Sequence, residues 1–156
     1  MKILLLILSA ILLQGSVSRA QAFLVDISYS TSEKSKDSHS TYESFSIKGS
    51  TVVYLLKYTG RKGPGQTNVT RSCVFTDEQV RKIQQTITDK NLNVTDSLII
   101  ESSEMSSVAI SIGITRGTKA TKIRVKGSPG DLAGKLLYKN SLYLISTVQK
   151  MLKDCR

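Results

Sequence analysis

Histidine, cysteine and tryptophan are scarce or missing in this chain, and each shortage removes a class of chemistry. The one histidine, His39, lies in the polar run Thr31 to Thr41, which has nothing apolar to hold a general base in place. The two cysteines, Cys73 and Cys155, have no histidine nearby and fall short of the usual four ligands, so no metal is expected. No G-x-S-x-G elbow occurs, and no serine is followed three residues later by lysine, so the common serine-nucleophile motifs are lacking. H-E-x-x-H and calcium-loop patterns are absent too, and no cofactor is expected.

Long apolar runs are equally scarce. The one that exists, Ile3 to Leu13, is about half of the ~20 residues a membrane-spanning helix requires. With Lys2 before it and Ala20-Gln21-Ala22 after it, residues 1–22 have the three parts of a secretory signal. No transmembrane segment is expected once it is removed, and the protein is expected to be secreted or periplasmic. Residues 23–156 then form one domain of 134 residues, enough for a real core. Lys2 and Arg19 leave with the signal, so 20 Lys+Arg face 12 Asp+Glu, a formal charge of +8. Such a surface attracts anions, whether an anionic surface or an acidic protein. Export makes nucleic acid an improbable partner. In an oxidising compartment, an even pair of cysteines implies a Cys73–Cys155 disulfide.

Hydrophobic periodicity organises the domain. Phe23 to Ser30 forms a first strand, and residues 31–41 a polar flexible loop. Tyr42 to Lys48 and Thr51 to Tyr58 form a hairpin about Gly49-Ser50, its second strand apolar on both faces as in a central strand. Thr76 and Gln79 fit a capping box ahead of Val80, Ile83 and Ile87 at helical spacing, giving a helix from Asp77 to about Lys90. Asp96 to Glu101, Ser107 to Thr115 and Lys119 to Lys126 read as strands. A closing helix carries Leu137, Leu144, Ile145, Val148, Met151 and Leu152. The expected fold class is α+β. An antiparallel sheet of about six strands in βββα-βββα order packs two helices on one face, leaving the other free.

Two features point to binding. Lys122, Arg124 and Lys126 recur with period two, which puts three cations on one sheet face beside the small residues Ala109, Ser111 and Gly113. Tyr54 and Tyr58 share a face of their strand, as platforms for stacking. The segment TGRKGPGQTNVT, residues 59–70, has the glycine spacing of a phosphate loop, but Gln66 stands where that loop needs lysine and no helix follows at once. It reads as an exposed turn presenting Arg61 and Lys62, and no nucleotide is expected. Asn68 and Asn93 both open N-V-T, a glycan acceptor only in a eukaryotic host.

The residues favour an exported, non-enzymatic binding domain that engages an anionic ligand or a protein partner through a basic sheet face. Two alternatives stay open: an extracytoplasmic hydrolase using carboxylates such as Glu101 and Glu104, and a structural, envelope-associated domain. The export reading has a direct check: expression of the full chain in a secretory host should yield a mature protein beginning at Phe23, read by intact mass. Recovery of an unprocessed N-terminus would contradict it.

Overall fold

A computed structural model describes residues 23–34, 38–60 and 67–155. Residues 1–22, expected to be a signal, and Arg61 and Lys62 lie outside them.

Strand burial alternates, and that alternation decides the architecture. In β1, Phe23–Glu33, the side chains of Phe23, Val25 and Ile27 are buried while Asp26 is exposed. β2, His39–Lys48, and β3, Thr51–Gly60, continue the pattern with Phe45, Ile47 and Val52. They join through Gly49, whose φ of 59° fits the first position of a tight hairpin turn. β4, Thr67–Val74, pairs with β3 and ends the first half. The chain then forms α1, Asp77–Asp89, and re-enters the sheet as β5, Asp96–Ile99. β6, Ser106–Arg116, and β7, Lys119–Gly127, form a second hairpin turning at Gly117, also at φ 59°. A one-turn helix α2, Pro129–Leu132, and the long α3, Leu136–Lys153, complete the domain.

The protein is therefore α+β, with seven strands in the order β4-β3-β2-β1-β6-β7-β5. Every pairing is antiparallel except β5 with β7, so the sheet is mixed. The parallel pair has a simple cause. β4 and β5 occupy opposite edges, and α1 carries the chain from one to the other, so β5 arrives by a helical crossover instead of a hairpin.

The sheet is thus not purely antiparallel as expected, and three further sequence expectations change. The extended segment after the Gly/Pro loop is a paired strand, β4, which gives ββββα in the first half and seven strands where about six were expected. The apolar β3 is not central. It lies second from the edge, and Val53 is 44 % exposed. The sheet's centre is β1 and β6, whose outward positions are mostly Ser, Thr, Gly and Ala. The polar run 31–41 is shorter as a loop than its composition implied: Thr31–Glu33 extend β1 and His39–Thr41 begin β2, paired in register with each other. Backbone pairing to a central strand supplies what the missing apolar side chains could not.

α1 is capped as its sequence demands. Gln79 N donates to Thr76 Oγ1 at 3.2 Å, while Thr76 N donates to Gln79 Oε1 at 2.8 Å. Its exit uses Asn91 at φ 51°, after which Leu92 N donates to Ile87 O. Ile83 and Ile87 from α1 and Leu144, Ile145, Val148 and Met151 from α3 join the core on the same sheet face as Val25, Phe45, Ile112 and Ile123. Cys73 and Cys155 are bonded, with Cα atoms 5.9 Å apart, which ties β4 to the end of α3 across 82 residues. Closing so long a loop restricts the unfolded chain. Reducing the bond, or making the double Cys73→Ser/Cys155→Ser variant, should lower unfolding stability by roughly 2–4 kcal/mol in urea titrations. An unchanged midpoint would show that the terminus contributes nothing to stability.

Candidate functional site

Because the helices cover one face, every second side chain of the sheet is left on a surface that no element of the described chain covers. Registers identify its members. Across one row run Thr70, Leu55, Ser44, Ser28, Ser111, Arg124 and Ser97, from β4 to β5. The neighbouring row holds Ser72, Val53, Ser46, Asp26, Gly113 and Lys122. The centre is thus floored by hydroxyls and a glycine, and a shallow trough of about 710 Å3 follows it between Tyr42 and Leu55 on one side and Lys122 on the other.

The charge on this face is one-sided. Lys122, Arg124 and Lys126 stand exposed along β7, and Lys57 and Lys48 add cations from β3 and β2. Among the described strand residues, Asp26 is the only carboxylate here, and it accepts a hydrogen bond from Ser46 Oγ at 2.7 Å. The sequence found the β7 stripe and its small neighbours. It missed Lys48 and Lys57, because only the register shows that these cations share a face with β7.

The tyrosines divide. Tyr42 joins the open face. Tyr54 and Tyr58 do point the same way, but to the helix side, since they pair with Phe45 and Thr41. They therefore cannot interleave with Lys122, Arg124 and Lys126. Tyr54 stacks on Phe45 at 5.3 Å, and Tyr58 lies 6.4 Å from His39. His39 begins β2, with Nε2 3.6 Å from Glu33 Oε2. Asn68 is exposed on the open face of β4, and Asn93 is exposed in the connection between α1 and β5.

On the helix side, Glu43 gathers a second polar group. Gln149 Nε2 donates to Glu43 Oε2 at 2.7 Å, linking α3 to β2. Tyr29 pairs directly with Glu43, and Tyr54 lies one strand beyond. Burial pushes both phenols above their ordinary pKa; Tyr138 and Glu43 raise Tyr29 further, and Glu43 raises Tyr54 while Arg71 opposes. Burial alone raises Tyr138.

The carboxylates of the hydrolase alternative, Glu101 and Glu104, both border a small depression of about 250 Å3 with Lys126 and Ser128. Both are exposed, whereas a general acid at neutral pH depends on a surrounding that desolvates it. Among the described residues, no group of three or more His, Cys, Asp or Glu side chains converges as a metal site, and no helix is long and apolar enough to cross a membrane. No protein-family model matches the chain, and no curated protein matches it.

The tyrosine environment gives a pH prediction. A raised phenol pKa means the folded state keeps its proton where the unfolded chain has lost it. The stabilisation is thus complete below about pH 10 and is lost as pH rises through the folded values. Ultraviolet titration should show late-ionising tyrosines in the native protein. Glu43→Gln should bring part of that late titration to lower pH, because one negative neighbour is gone. An identical titration curve would mean that Glu43 does not act on these phenols.

Proposed function

We propose that this protein is an exported, non-enzymatic binding domain whose uncovered sheet face engages a polyanionic ligand or an acidic protein surface. The observation that carries the reading is the charge balance among the described strand residues of this face: Lys48, Lys57, Lys122, Arg124 and Lys126 against Asp26 alone. Asp26 is moreover engaged by Ser46. Cations flanking a floor of hydroxyls suit a ligand that is both anionic and rich in hydrogen-bonding groups. The long side chains of β7 supply charge, and the serines donate and accept at close range. An open trough along a sheet face favours an extended partner over a small molecule, which would be left mostly in solvent.

The disulfide and the N-terminal signal pattern support an oxidising, extracytoplasmic setting.

Reversing Lys122, Arg124 and Lys126 together to glutamate should strongly lower the salt needed to elute the protein from heparin and weaken its sedimentation with anionic liposomes. Arg81→Gln, exposed on α1 on the opposite side of the sheet, should leave both unchanged. Equal retention of the triple variant and the native protein would sink the proposal. A loss with heparin alone would assign the face to acidic glycans, and a loss with vesicles alone to anionic lipid.

A further inference from the structure

The open face is not the molecule's only basic concavity. Between β3–β4 and the C-terminal half of α3 lies a cleft of about 640 Å3, within the ~300–1,000 Å3 usual for small-molecule sites. α3 is joined to β4 at its end by the Cys73–Cys155 bond, and the cleft opens beside that junction. That bond and Leu152 line the cleft, with Tyr54 as an aromatic wall. Three cations border it, Arg71 from β4 and Lys150 and Lys153 from α3.

We propose that this cleft binds a small amphiphilic organic anion: a single carboxylate head on an apolar body. Among the described residues that line the cleft the one acid is Glu43, whose Oε2 accepts from Gln149, so three cations face a single carboxylate. Arg71 presents a planar fork that matches a carboxylate, and the lysines add charge from the facing helix. The Tyr54 phenol, protonated at neutral pH like any tyrosine and with its pKa raised further by burial, can donate a hydrogen bond to an anion. The disulfide, Leu152 and the Tyr54 ring give the apolar body a surface that a free inorganic ion would not use. This site lies on the helix side of the sheet and does not depend on the function proposed for the opposite face.

Laurate is a suitable probe, titrated below its micellar concentration by calorimetry against the oxidised domain. Dodecanol serves as the uncharged counterpart and inorganic phosphate as the anion without a tail. Saturable binding of laurate is expected, with dodecanol and phosphate at least tenfold weaker. Arg71→Gln should weaken laurate about tenfold, the loss typical of a hydrogen-bonded charge partner. The triple Lys122→Glu/Arg124→Glu/Lys126→Glu variant should bind laurate like the native protein. Circular dichroism should show each variant folded. Arg71 lies at an exposed edge, and Lys150→Gln provides a second variant, expected to weaken laurate as well. Absence of saturable laurate binding, equal affinity for dodecanol, or full affinity in both Arg71→Gln and Lys150→Gln would overturn the assignment.

Discussion

The structure depends on one constraint: a sheet whose inward positions are apolar has to bury them, and its outward positions are too polar to be covered the same way. β6 shows it most clearly. Val108, Ile110, Ile112 and Ile114 are all buried, while Ala109, Ser111 and Gly113 between them offer little to a second layer. Both long helices must then lie on one side. Everything that looks functional follows from this asymmetry. The open face exists because no helix packs there, and the lateral cleft lies where β3 and β4 meet the end of α3.

The hydrogen-bonded ladder takes over wherever hydrophobicity gives out. At the far end of β1 and β2, Thr31, Ser32, Glu33, His39 and Ser40 hold strand geometry without one buried apolar side chain. β1 is paired on both sides there, to β2 and to β6, so its backbone groups are satisfied without a core beneath them. Ser32 and Ser107 even share a hydrogen bond between hydroxyls, at 2.7 Å. Composition makes such a segment look like a loop, and pairing makes it a strand.

That difference explains what the sequence revealed and what it hid. Local signals were legible: the Thr76–Gln79 box, the β7 alternation, the glycine turns and the apolar stripe of α3 each act within a few residues. The disulfide was legible because two cysteines allow a single intramolecular pairing. Long-range geometry was not. Nothing near Asn68 to Val74 indicates a neighbouring strand, since Cys73 and Val69 are its only half-buried inward residues with any apolar character. Likewise, Tyr54 and Tyr58 could be assigned a common face but not which face, because β3 is apolar on both and only its register with Phe45 decides. The cleft residues Glu43, Arg71 and Lys150 come from three distant segments and carry no motif.

Period-two geometry also governs how the two basic surfaces relate. Val53 and Tyr54 are adjacent in sequence, yet one borders the open trough and the other the lateral cleft. Across that single sheet layer, Arg71 and the Lys122 stripe lie on opposite faces and on strands four intervening strands apart in the order β4-β3-β2-β1-β6-β7. With strands spaced about 4.8 Å, this separation exceeds the Debye length of about 8 Å at physiological salt. An anion at the β7 stripe therefore does little to screen or repel an anion at Arg71. Any coupling between them has to pass through displacement of β3 itself, whose two faces serve both. Arg71 and the β7 stripe are therefore electrostatically independent, whereas Lys57, on the strand next to Arg71, ties the two surfaces together at β3.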